Sequence, residues 1–224
     1  MGVTTRIKIC CISSIEEARL AVACGAAAIG LVSAMPSGPG VIDETRIAAI
    51  AAVVPPAVGT FLLTAGQEPE AVIDQQRRCG CNTLQLVDTF PIDGYSVLRK
   101  ALPGVRIVQV IHVTGGEAVD EARRVAPYVD GLLLDSGNPR LAVKELGGTG
   151  RTHNWAISRA IVESVRKPVF LAGGLNAENV GSALKQVMPF GVDVCSGVRT
   201  NGELDPDKLQ RFVALVTGRT AAPA

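Results

Sequence analysis

The sequence is short of histidine, of any excess of one charge and of long apolar runs, and each shortage removes a class of function. His112 and His153 are the only histidines and lack partners at ligand spacing, so no metal is expected. Lys and Arg number 22 against 21 Asp and Glu, a net charge of +1 with the cations scattered among anions. A nucleic-acid partner calls for a clear basic excess and is not expected. No run reaches the roughly 18 apolar residues that span a bilayer, and Met1 to Lys8 lacks the charged-then-apolar layout of a signal peptide. No membrane association is expected, and the cytoplasm is the expected location. Six cysteines, at 10, 11, 24, 79, 81 and 195, are too few for a disulfide scaffold in 224 residues and make no zinc-ribbon pair. They read as reduced thiols, with Cys79 and Cys81 a weak exception. A Gly-x-Gly-x-x-Gly turn is also missing after the first apolar run, which ends Cys10-Cys11-Ile12-Ser13.

What is there is a repeat of short Val/Ile/Leu/Ala-rich runs, each followed by a longer segment with helical periodicity. Eight strands are expected, at 6–10, 27–32, 58–63, 83–87, 106–112, 131–135, 168–172 and 191–194. Several are apolar on both alternating faces, as parallel strands covered on both sides must be. Helix boundaries have local causes. Ser14 with Glu17 three residues on makes a capping box, Asp43 opens a helix that stops before Pro55, and a third helix follows Pro69. Asn176 is expected to cap helix seven, which ends before Pro189, and Asp205-Pro206 opens helix eight. Spacing alone fits either an open doubly wound sheet or a closed barrel. The glycine-rich turns follow strands seven and eight, where barrels hold phosphate, which favours an α/β fold of the (β/α)₈ TIM-barrel type. One domain over 1–217 with a flexible tail at 218–224 is expected.

Strand side chains alternate, so Lys8 and Cys10 share a face, and an interior ammonium there favours a thiolate that could act as a base. Asp135 ends Leu132-Leu133-Leu134 at the strand edge where barrel active sites are built; a turn or cap role is the alternative. The turns Gly173-Gly174 and Ser196-Gly197 let backbone N–H groups approach an anion, helped by the helix starts that follow. Residues 136–154 form an unusually long connection, expected as a lid or binding loop, with Arg140, Lys144 and Arg151 as cations for substrate anions.

Taken together these segments resemble the phosphoribosylanthranilate isomerase family from the first strand to the last helix. The resemblance rests on Lys8-Ile9-Cys10, Val58-Gly59-Thr60-Phe61, Leu84-Gln85-Leu86, Leu134-Asp135, the run Gly147 to Thr152 with Trp155, Ala172 to Asn176, and Asp193-Val194 with Ser196-Gly197-Val198. It implies an Amadori rearrangement of N-(5-phosphoribosyl)anthranilate without a cofactor, by a monomer or homodimer acting on a small phosphorylated substrate. By position Asp135 matches the general acid and Cys10 the general base. The substrate-binding set it implies is Lys8, Gly148, Gly150, Arg151, Gly173, Gly174, Ser196, Gly197 and Arg199.

The chain also departs from the family pattern. Ser37-Gly38-Pro39-Gly40 stands where an arginine for the anthranilate carboxylate is usual, Cys11 where glycine follows the opening cysteine, Cys195 where serine stands, and Arg199 where glutamate stands. Arg199, Arg140 and Arg151 are the cations available to replace the lost arginine. Two other readings use the same residues: an isomerase of a different phosphorylated aminosugar, and a non-catalytic barrel that binds a phosphorylated metabolite.

Overall fold

The computed structural model describes residues 4–139, 141 and 143–218. Eight parallel strands close in sequence order: β1 (Arg6–Ile9), β2 (Ala28–Val32), β3 (Gly59–Thr64), β4 (Thr83–Leu86), β5 (Arg106–His112), β6 (Gly131–Asp135), β7 (Val169–Leu171) and β8 (Gly191–Val194). Because β1 pairs with both β2 and β8, the open-sheet alternative is excluded. Around them lie α1 (Ile15–Ala23), α2 (Glu44–Val53), α3 (Pro69–Cys79), α4 (Gly94–Ala101), α5 (Ala118–Val125), α6 (Trp155–Ser164), α7 (Val180–Val187) and α8 (Pro206–Thr217). A two-stranded hairpin, β9 (Arg199–Thr200) with β10 (Glu203–Leu204), stands between β8 and α8. Among the described residues no helix is long and apolar enough to cross a membrane.

Strand alternation sorts the side chains into two cores. Ile7, Ile9, Ile29, Leu62, Leu84 and Ile111 point outward and pack under the helices, each 0–2% exposed. Burying each such side chain is worth about 1.5–3 kcal/mol, enough to hold every helix against the sheet. Ala28, Phe61, Leu63, Val108, Val110, Leu133 and Phe170 point inward and fill the barrel, with Phe61 edge-on to Phe170 at 5.9 Å between ring centroids.

Local chemistry places the helix starts. The side chain of Ser14 accepts from Glu17 N, while Glu17 reaches back to Ser13 N rather than to Ser14, a capping box shifted by one residue. Asp43 accepts from Arg46 N, and Asp205 accepts from the N–H groups of Asp207 and Lys208. Helix seven differs from expectation. Asn176 Oδ1 accepts from Glu178 N and Asn179 N and closes a separate turn, so α7 begins only at Val180, with Asn179 as its N-cap residue. An Asx turn competes here with a helical first turn for the same side chain. Of the expected flexible tail, only Gly218 lies within the described residues, in the left-handed conformation that ends α8.

Candidate active site

A cleft opens at the carboxyl ends of the strands. Cys10, just beyond β1, and Asp135, the last residue of β6, both line it and are 6% and 7% exposed. Ser136 N donates to Asp135 Oδ1 at 2.8 Å, which fixes one carboxylate oxygen. Ser136 Oγ meets Thr149 Oγ1 at 2.7 Å, so the 136–154 connection is fastened over the acid. Leu146 and Gly147 to Gly150 from that connection line the cleft opposite Ser37, Gly38 and Pro39.

Lys8 is fully buried beneath the cleft and does not line it. Its ammonium donates to Asp193 Oδ1 at 2.9 Å, side by side in the β1–β8 register, and lies 5.3 Å from the centre of the Phe61 ring. The sequence expectation gave Lys8 to Cys10 and to substrate; the structure gives its hydrogen bond to Asp193. Cys10 is nonetheless close. A Cβ placed on Gly30 would lie 2.9 Å from both Lys8 Nζ and Cys10 Sγ, so only glycine leaves room for both. Burial alone would push the Lys8 ammonium down, yet Asp193 and then Cys10 outweigh it and hold it above its ordinary value. Burial pushes the Asp193 carboxyl up, Lys8 opposes this, and the charge of Asp135 adds to it. An electrostatic chain thus runs Asp135, Asp193, Lys8, Cys10 across one end of the barrel.

The turns after β6, β7 and β8 pack on one another. Cβ atoms on Gly174 and Gly197 would lie 2.6 Å from the Arg151 carbonyl carbon and 2.0 Å from the Leu175 oxygen, so the close approach requires glycine at both. Gly148, Gly150, Gly173, Gly174 and Ser196 line the cleft; Gly197 adjoins it through its bridge to Asn176. Helix dipoles enter less than expected, since α7 starts at Val180 and the hairpin stands between Ser196-Gly197 and α8.

The expected arginines are engaged elsewhere. Arg199 binds Glu17 Oε1 at 2.6 Å and the Cys11 carbonyl at 2.6 Å, away from the cleft. The exposed Arg151 pairs with Glu145, and Lys144 pairs with the buried Asp88, each at 2.5 Å. Arg140 lies outside the described residues. Among the described residues lining the cleft there is no lysine or arginine. Sequence reasoning missed Gln85, which is 3% exposed on β4, lines the cleft and leaves Oε1 without a partner among the described residues. The signal was present: a polar side chain at an inward position of an apolar strand, as at Lys8. No group of three or more His, Cys, Asp or Glu suited to a metal ion occurs among the described residues.

Residues 7–215 match the family model of N-(5'phosphoribosyl)anthranilate (PRA) isomerase. The chain belongs to the phosphoribosylanthranilate isomerase family. An N-(5'-phosphoribosyl)anthranilate isomerase of Methanocella arvoryzae is 37% identical over 194 residues, covering 87% of this chain and 89% of the relative. The crystal structure of the isomerase of Thermotoga maritima aligns with TM-score 0.81 and 31% identity over 96% of this chain and 99% of that one. A phosphoribosylanthranilate isomerase structure solved with reduced 1-(o-carboxyphenylamino)-1-deoxyribulose 5-phosphate aligns with TM-score 0.78 and 29% identity over 96% of this chain and 99% of that one. Family membership and barrel closure agree, and the cleft lies where barrel enzymes carry their chemistry.

Proposed function

We propose that the protein is a phosphoribosylanthranilate isomerase of tryptophan biosynthesis. It converts N-(5-phosphoribosyl)anthranilate into 1-(2-carboxyphenylamino)-1-deoxyribulose 5-phosphate. The observation that carries this reading is a thiol and a carboxyl group, Cys10 and Asp135, lining one cleft from strands on either side of β7 and β8, beside glycine turns suited to a phosphate.

In this reading Asp135 gives its proton to the furanose ring oxygen, the ring opens, and a Schiff base forms between C1 and the aromatic nitrogen. The Cys10 thiolate then takes the C2 proton, the electron pair moves to nitrogen, and the enolamine becomes the ketone as its C2 hydroxyl returns a proton to the Asp135 carboxylate and C1 takes one from the Cys10 thiol. Oxidation at C2 and reduction at C1 occur within one molecule, so the balance calls for no external hydride carrier. Lys8 supplies the counter-charge for an anionic sulfur, and Asp193 holds Lys8 in register. Gly148, Gly150, Gly173, Gly174, Ser196 and Gly197 hold the phosphate. Arg151 takes part through its backbone, Arg199 supports the fold, and the cytoplasm is the place of work.

Loss of the anthranilate adduct's fluorescence as it rearranges is a direct assay, and rescue of a tryptophan auxotroph is the cellular one. Turnover with rescue is the expected outcome; binding without turnover, and no rescue, would sink the proposal.

A further inference from the structure

Ahead of α6, the segment from Val143 to Gly150 carries Leu146 and the glycine run that line the cleft, and little in its own sequence holds that run in place. Gly147, Gly148 and Gly150 sit at φ 143°, 67° and 68°, a region that glycine reaches freely and just as freely leaves. Leu146 is buried, but Val143 is 68% exposed, so apolar burial is a thin fastening. The position of the run nevertheless matters to the acid. Ser136 N holds Asp135 Oδ1, which leaves Oδ2 to carry the proton. A Cβ on Gly147 would lie 2.9 Å from that Oδ2, and one on Gly148 would overlap the Pro39 ring. The run is therefore set between the acid and the connection after β2, and Gly147 covers Oδ2.

Lys144, three positions before Gly147, is clamped on two sides. Its ammonium donates to Asp88 Oδ2 at 2.5 Å, and its carbonyl accepts from Ser37 Oγ on the connection after β2. Asp88 is a fixed anchor beyond β4. It is 6% exposed, Thr89 N donates to its Oδ1, and its carbonyl accepts from Gln109 Nε2, while Tyr95 donates to Gln109 Oε1. The second carboxylate oxygen of Asp88 depends on Lys144, and a buried charge stripped of its partner is costly. That cost draws the segment down onto the mouth of the barrel.

We propose that Lys144 and Asp88 are positioning residues: with Ser37 they fix the 143–150 segment and so hold Gly147 against the proton-carrying oxygen of Asp135. The inference rests on Asp135 as the general acid of the proposed reaction. With the clamp made, water is kept from Oδ2 and the proton is left to the ring oxygen of the substrate. With it broken, water reaches Oδ2 and the glycine wall beside the sugar loosens. Lys144 thus acts through the backbone it anchors, not on a substrate anion as its place in the chain suggests.

The test pairs kinetics with proteolysis. Lys144→Ala should raise KM and lower kcat, each by about tenfold, because binding and the acid step both lose the positioned segment. The unfolding midpoint should change little, since the unpaired Asp88 regains water when the segment lifts and the cost falls there rather than on the barrel. Lys144→Arg keeps the charge and should restore most of both constants. Asp88→Asn combined with Lys144→Ala should be no slower than Lys144→Ala alone, as expected of two groups acting as a unit. Without substrate, thermolysin should cut before Leu146 at least about tenfold faster in Lys144→Ala and in Ser37→Ala than in the unaltered chain, following the larger lifted population. Ser37→Ala reads the same clamp should Lys144→Ala fail to fold. Unchanged KM and kcat in Lys144→Ala, an equal loss in Lys144→Arg, a slower double variant, or unaltered cleavage before Leu146 would each overturn the assignment. The proteolysis involves no substrate, so its failure is distinct from failure of the proposed reaction.

Discussion

Lys8 has no exposed surface, and its ammonium makes its hydrogen bond to Asp193. Removing one partner of a buried pair strands the other charge, which costs about 3–5 kcal/mol, whereas replacing both with apolar groups often costs far less. Lys8→Met should therefore lower stability in denaturant titrations by that amount, and Lys8→Met with Asp193→Leu should recover most of it. Both should be slow enzymes, since the counter-charge beside Cys10 is gone in each. Cys10→Ser and Asp135→Asn test the chemistry itself. A well-placed proton transfer is worth about 10²- to 10⁴-fold, so each should lose at least that much in kcat with an unchanged unfolding midpoint. Near-normal rates in either would remove that residue from its role. Cys10 and Asp135 were legible because an inward register and a strand edge are properties of the chain. Gln85 was equally legible in register, but an unpartnered Oε1 shows only when its neighbours are in place.

Arg199 belongs to the scale of the element. From the sequence it is a spare cation near the phosphate turn; in the fold it fastens the β9–β10 hairpin to α1 through Glu17. Burial alone would push the Glu17 carboxyl up, but Arg199 and the N–H groups of Ser13 and Leu204 hold it below its ordinary range. Arg199→Ala should leave that carboxylate unpaired and cost about 3 kcal/mol, a fall in Tm of roughly 6–12 °C, with KM little changed. A large rise in KM at constant Tm would restore the binding role. The turns make the opposite case. Gly197→Ala drives a methyl against the Leu175 carbonyl, so the β7 and β8 turns must separate. Binding of the phosphorylated substrate should weaken at least tenfold, equivalent to about 1.4 kcal/mol, as read by titration with a product analogue. Caps at Ser14, Asp43 and Asp205 were legible because a cap bonds within its own few residues. The hairpin and the late start of α7 were not, since each depends on what the segment packs against.

For the whole molecule, pH reports which groups fold into unfamiliar surroundings. Burial holds His153 below its ordinary value, with Asp135 opposing, so its contribution to stability is present above about pH 6.5 and is lost as pH falls. Glu17 and Asp130 are also held low, the latter by Ile107 N and two arginines against burial, and their contributions vanish on further acidification. On the alkaline side Cys79 and Cys81, raised to about 11 and about 12, lose their contribution as pH climbs through the range where unfolded thiols ionise. Tm should be highest between about pH 7 and 8.5 and fall on either side. His153→Gln should flatten the first part of the acid limb; an unchanged limb would show that another group titrates there.

The chain by itself determined the alternation of eight strands with helices, their two-sided apolarity, most helix caps and the inward register of Lys8 and Cys10. Each of these follows from neighbours a few residues apart or from the two periods of the backbone. Closure alone decided the rest. Lys8 and Asp193 are 185 positions apart and become neighbours only when the first strand meets the last. The same closure occupies Arg199 with Glu17. Charges and thiols act over a few ångströms, and those distances exist only once the sheet has returned to its own beginning.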